Sequence, residues 1–86
     1  MDLEQQFSTI RKMMVINNTY VHCAGLRLIK YLCVNEKITK RMFEYKLNIF
    51  IIMALERSDK LHYEREIALA LVTHLINVSA FPLFSL

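Results

Sequence analysis

The residues best suited to chemistry in this sequence are its histidines and cysteines, and their spacing decides what they could do. His22 and Cys23 are adjacent, so on a helix they point to different faces and make a poor pair of metal ligands. His62 and His74 are twelve residues apart, which is about 18 Å along a helix axis. Zinc needs three or four ligands that converge at about 2.0–2.3 Å. The sequence therefore predicts no metal site and no cofactor.

Nucleophilic catalysis by a thiol is not indicated either. A reactive Cys23 or Cys33 would need a nearby base and a lowered pKa, and no motif supplies them. The two cysteines lie ten residues apart on one predicted helix, about 15 Å, whereas a disulfide requires Cα atoms within about 7 Å. We expect free thiols in a reducing, cytoplasmic compartment. Gly25, the only glycine, lies inside a helix and forms no phosphate-binding loop, so we expect no enzymatic activity.

Two groups of residues are candidates for binding a partner. The first is a basic cluster that could hold an anionic protein surface or a phosphate group, although a solvated helix face explains the same residues more simply. The second is the apolar C-terminal end of the chain. The basic candidates are Lys37, Lys40, Arg41 and Lys46, and the apolar candidates are Phe81, Leu83 and Phe84. A net charge of +3 is too small to predict binding to nucleic acid.

The elements that position these residues are predicted to be α-helices. Apolar residues make up 55% of the 86-residue chain, and a single glycine and a single proline leave too few turn residues for a β-rich fold. Asp2 followed by Gln5 is a capping-box start, and Asn35 is a further cap. The run IFIIMAL, residues 49–55, suits a buried helix or, alternatively, a buried strand, and it is too short to cross a membrane. The helices are predicted over about residues 3–15, 20–34, 36–45, 49–57 and 61–78.

The apolar pattern of the second helix returns in the last one. At an offset of 43 residues, Leu26 aligns with Leu69, Leu28 with Leu71 and Leu32 with Leu75. A period of about 40–47 residues built from two or three helices is typical of HEAT and armadillo repeats. We therefore predict an all-α, armadillo/HEAT-like fold of about two repeats within one domain, 1–86. Repeat one covers about 2–45, repeat two about 46–80, and a third helix set would start after 81. An ordinary bundle of four or five helices is the alternative.

Three segments carry a resemblance to a known family. AGLRLIKYLC, LNIFIIMALER and YEREIALALVTHLINVSAFPLF resemble the N-terminal armadillo region of the Rictor (pianissimo) family, over about Tyr20–Phe84. The resemblance implies a non-catalytic scaffold subunit of the second TOR kinase complex. It also implies protein partners, namely the kinase and other subunits, with neighbouring repeats on at least the C-terminal side. The expected location is cytoplasmic and peripheral at membranes through the complex.

Two functions follow from these observations. The first is a scaffold module that presents a helical surface to other subunits in TOR signalling. The second is a small helical-bundle regulator that binds an apolar ligand or a partner helix in a pocket lined by Met, Phe and Ile.

Overall fold

The first three helices of the chain each begin at a polar side chain that caps their free backbone N–H groups. Asp2 accepts a hydrogen bond from the Gln5 amide at 2.8 Å, Asn18 from the Val21 amide at 3.1 Å, and Asn35 from the Ile38 amide at 2.9 Å. Such caps stabilise a helix by about 1 kcal/mol each. Because capping is local, the sequence reveals the starts of these helices.

A computed structural model describes residues 2–56 and 62–78. Within these ranges the chain forms five α-helices and no strand: α1 (Leu3–Met14), α2 (Thr19–Leu32), α3 (Glu36–Glu44), α4 (Asn48–Glu56) and α5 (His62–Val78). The predicted all-α class is confirmed, and the run IFIIMAL is helical. The turn at 57–61 and everything after 78 lie outside the described residues.

The helices are arranged in two layers. The closest packing occurs between α1 and α2, between α4 and α5, and between α2 and α5, so the two helix pairs meet through α2 and α5. His22, near the start of α2, contacts Glu64 at the start of α5. The carbonyl of Cys33, at the end of α2, contacts His74 near the end of α5. Helices α2 and α5 therefore run parallel, which is how equivalent helices of successive repeats are arranged.

The approach of α1 to α2 depends on the only glycine. A Cβ atom at Gly25 would lie 2.6 Å from Met14 Sδ and 3.8 Å from Ile10 Cγ2. Side chains of α1, and not its backbone, therefore occupy the space beside Gly25.

Helix α3 ends in a Schellman motif. The Lys46 amide donates to the Phe43 carbonyl at 2.9 Å and the Leu47 amide to the Met42 carbonyl at 3.3 Å. Met42 and Leu47 are fully buried and supply the apolar contact that accompanies this motif. Lys46 has φ 61°, a left-handed conformation that glycine usually adopts at this position. The motif turns the chain from α3 into α4.

The buried positions correct the predicted register of the repeat. At an offset of 43, Leu26 is fully buried while Leu69 is 48% exposed, and Cys33 is buried while Ile76 is exposed. At an offset of 42 both helices bury positions spaced four, three and four apart. These are His22, Leu26 and Ile29 in α2 with Cys33 directly after it, and Glu64, Ala68, Leu71 and Leu75 in α5. In α1 and α4 the buried pairs Phe7/Ile10 and Ile51/Ala54 match at an offset of 44 instead.

One continuous apolar core joins residues of all five helices. Its members include Phe7, Leu26, Met42, Ile51 and Leu71, so both layers contribute to the same core. This arrangement is that of stacked helical repeats. The division into repeats of about 2–45 and 46–80 stays a prediction, and the third helix set lies outside the described residues.

Candidate functional site

A buried polar pair joins the two helical layers. His22 Nδ1 lies 2.9 Å from Glu64 Oε1, and the two residues are only 4% and 1% exposed. The other ring nitrogen, Nε2, contacts the Ile16 carbonyl. A carbonyl only accepts, so Nε2 carries a hydrogen, and Nδ1 and the carboxyl oxygen share a second one. Both ring nitrogens are thus used to fix α5 against α2 and the α1–α2 loop, and neither is left to act as a base.

Two further polar contacts extend this seam along α2 and α5. The Arg27 guanidinium donates to the Tyr63 hydroxyl and lies 5.5 Å from the centre of its ring. His74 Nε2 lies 2.9 Å from the Cys33 carbonyl and donates to it, which satisfies a carbonyl at the end of α2. These directional bonds fix the register of the two helices, because a shift by one residue would break all of them.

The two cysteines are buried and free, and burial raises the pKa of both thiols. Burial raises the pKa of the Cys33 thiol to about 11, against a smaller opposing effect of its hydrogen bond to Thr39. Burial also raises the pKa of Cys23, helped by the negative charge of Glu64 and opposed by Arg27. A nucleophilic cysteine needs the opposite shift, so these thiols belong to the core.

The predicted basic cluster occupies α3 and the turn that follows it. Lys37, Lys40 and Lys46 are exposed. Arg41 is paired with two carboxylates, at 2.8 Å to Glu4 and 3.2 Å to Glu44. Its charge therefore bridges α3 to α1, and the three lysines remain as the exposed cations of the cluster. The role of this cluster in binding stays a prediction, and Phe81, Leu83 and Phe84 lie outside the described residues.

Apolar surface is exposed on both layers. On α5, Leu69 and Ile76 are 48% and 59% exposed, and they lie more than a third of a turn around the helix from Tyr63 and His74, which face α2. On the first layer, a shallow groove of about 260 Å³ runs between α1 and α2. Its lining consists of Gln6, Thr9, Ile10, Leu28, Tyr31 and Leu32.

The buried pair is the feature that the sequence interpretation missed. From the sequence, His22 is considered only as a possible metal ligand, and Glu64 is not singled out. In the structure Glu64 faces inward, and only Glu66 is exposed. The available signal was the register: at an offset of 42, His22 and Glu64 occupy the same position of the apolar pattern.

Two searches of the described ranges gave negative results. No three His, Cys, Asp or Glu side chains there lie close enough together to hold a metal ion. None of the described helices is long and apolar enough to cross a bilayer. The side chain of His62 is not among those described.

Parallel helices stacked in layers, with a polar seam between them, define an all-α helical-repeat protein. The particular family follows from comparison with known sequences. The chain matches the family described as "Rapamycin-insensitive companion of mTOR, N-term" over residues 1–82 and belongs to it. Neither the curated proteins nor the solved structures gave a match.

Proposed function

We propose that this chain is a non-catalytic interaction module of a TOR kinase complex, in which its stacked helices form part of a scaffold that holds other subunits. The observation that carries the proposal is the family match, which spans residues 1–82. The fold supports it, because its polar groups serve to join helices and not to form a reactive site.

The exposed stripe on α5 supports a neighbouring helical layer on that side. Leu69 and Ile76 are exposed and Val72 between them is partly buried, a spacing of three and four that forms one apolar face. The stripe lies on the side of α5 away from α2, so a further helix placed there would continue the stacking of α2 on α5. Helical repeats bury such faces only against their neighbours.

The location in the cell follows from the same proposal. As part of a TOR complex the chain would be cytoplasmic and would reach membranes only through the complex. Lys37, Lys40 and Lys46 are exposed and would be available to an anionic partner.

The test is isolation of the protein, tagged at its native position in the cell, followed by mass spectrometry. We expect the TOR kinase to be recovered with it. The variant Ile76→Glu should reduce recovery, and Lys30→Glu, at an exposed position of α2 outside the basic cluster, serves as a control that also introduces a glutamate. Isolation of the intact wild-type protein without any TOR kinase would contradict the proposal.

A further inference from the structure

The groove between α1 and α2 is an apolar depression on the surface of the first layer. Ile10, Leu28 and Leu32 contribute its apolar lining, and Gln6, Thr9 and Tyr31 its polar margin. Tyr31 is 78% exposed and Leu28 41% exposed. Exposed tyrosines beside an apolar depression are enriched where proteins bind one another. All of these side chains come from two antiparallel helices whose packing the core fixes.

The size and walls of the groove determine what fits it. A volume of about 260 Å³ is below the roughly 300–1,000 Å³ of sites that enclose a drug-sized molecule, so the groove suits a few side chains rather than a whole ligand. Its walls are helices, and the described ranges contain no strand edge onto which a peptide could add. A groove of this kind accepts the apolar face of an amphipathic helix, with contacts at spacings of three, four and seven.

The two helices that form the groove carry a positive excess. Residues 2–32 contain four Lys and Arg against two Asp and Glu. Two cations stand one helical turn from the groove margin: Lys12 beside Thr9 on α1, and Arg27 beside Tyr31 on α2.

These cations have no carboxylate partner within the described ranges. The ion pairs found there involve His22 and Arg41, and Arg27 contacts the neutral hydroxyl of Tyr63. Acidic residues that flank the apolar face of a bound helix would therefore meet unpaired positive charge on both sides of the groove. Such exposed charges increase the association rate and give binding a salt dependence.

We propose that the α1–α2 groove is a docking site for an acidic amphipathic helix, which seats apolar side chains against Leu28 and Leu32 and places carboxylates beside Lys12 and Arg27. This goes beyond the proposed function, because it assigns a partner class to a surface on the layer opposite the α5 stripe. It depends only on the surface of this chain, so it can fail while membership of a TOR complex holds.

The probe is a synthetic 18-residue helical peptide with leucines at spacings of three and four and glutamates on the remaining faces, labelled for fluorescence anisotropy. We expect it to bind the 86-residue chain with a Kd of about 1–10 μM that weakens roughly threefold between about 50 and 300 mM salt, because the groove is small and its charged margin is exposed. A scrambled peptide of the same composition and a peptide with lysine in place of glutamate should bind at least tenfold more weakly.

Matched variants locate the site. Leu28→Gln should weaken binding about tenfold, whereas Leu69→Gln, a leucine of similar exposure on α5, should leave it unchanged. Lys12→Glu should weaken binding, and Lys40→Glu, in the basic cluster on α3, should not. Circular dichroism and melting temperature confirm that each variant is folded.

Three results would overturn the proposal. The first is no difference between the designed and scrambled peptides. The second is equal sensitivity to Leu28→Gln and Leu69→Gln, or loss of binding with Lys40→Glu rather than Lys12→Glu. The third is tighter binding of a proline-rich peptide than of the acidic helix, which would assign the groove to extended ligands.

Discussion

His22 and Glu64 are polar residues at positions that a helical repeat ordinarily gives to apolar ones. They are buried, they contact each other at 2.9 Å, and His22 also bonds the α1–α2 loop. A buried pair of this kind gives specificity more readily than net stability. Its effect here is to permit only the register in which α2 and α5 place these two side chains together.

Replacing either His22 or Glu64 alone should therefore lower the free energy of unfolding far more than replacing both. His22→Leu takes a hydrogen-bond partner from a buried carboxylate and should lower the free energy of unfolding by about 3–5 kcal/mol. That is a large share of the total, because a chain of 86 residues has an unfolding free energy of roughly 4–13 kcal/mol. The double variant His22→Leu/Glu64→Leu should recover most of that loss. Urea unfolding of the two single variants and the double variant measures the coupling.

His74→Leu provides the control for this cycle. His74 makes one part-buried hydrogen bond to a carbonyl, so its substitution should lower the free energy of unfolding by only about 1 kcal/mol. A double variant that is as unstable as His22→Leu would show that the pair does not act as a unit.

Lys46 holds a backbone conformation that costs a residue with a side chain about 1–2 kcal/mol. We therefore expect Lys46→Gly to stabilise the chain by about 0.5–1 kcal/mol, after the greater flexibility of glycine in the unfolded chain is subtracted. Thermal unfolding measures the change. Lys40→Gly, inside α3, should instead destabilise by about 1 kcal/mol; equal effects of the two substitutions would show that Lys46 does not end the helix in this way.

The Cys33 thiol links stability to high pH. Burial raises its pKa to about 11 from a reference value of 9.0, so the folded chain holds this proton more tightly than the unfolded chain does. The stabilisation is fully present below pH 9 and is lost as the pH rises from 9 toward 11. The difference in unfolding free energy between wild type and Cys33→Val should decrease across that window, as measured by urea unfolding at each pH. A difference that is constant with pH would contradict the raised pKa.

At the scale of the elements, the register of α5 separates two leucines that look alike in the sequence. Leu71 is fully buried and Leu69 is half exposed, two positions apart in one helix. Leu71→Ala should cost about 2–5 kcal/mol through the cavity it leaves, while Leu69→Ala should cost less than 1 kcal/mol. Chemical denaturation compares them directly. The reverse order would restore the 43-residue alignment, in which Leu69 is the partner of buried Leu26.

The five helices could be predicted because their signals are local. Asp2 and Asn35 act as caps as the sequence indicated, and the apolar stripe of α1 follows helical spacing into the core. The offset could not be predicted, because leucine recurs often enough in α2 and α5 for several alignments to fit. The burial of His22 and Glu64 depends on contact between residues 42 apart, which neither helix reveals by itself.

At the scale of the whole molecule, the two helical layers differ in surface chemistry. The first layer carries the positive excess and the α1–α2 groove, and the second presents the Leu69 and Ile76 stripe. Under the proposed function, one neighbour would continue the stack on α5 while a chemically different partner would bind the first layer.

The parallel arrangement of α2 and α5 is the feature on which the layered repeat depends, and paramagnetic relaxation enhancement measures it directly. A spin label is placed at the exposed position 20, near the start of α2, or at position 31, near its end, in a chain with Cys23→Ala and Cys33→Val. Positions 20 and 31 are separated by about 16 Å along the helix, enough to give opposite gradients along α5. The label at 20 should broaden the amides of residues 63–66 more than those of 73–77, and the label at 31 should do the reverse. The opposite gradients, or equal broadening along α5 from both labels, would contradict the layered repeat.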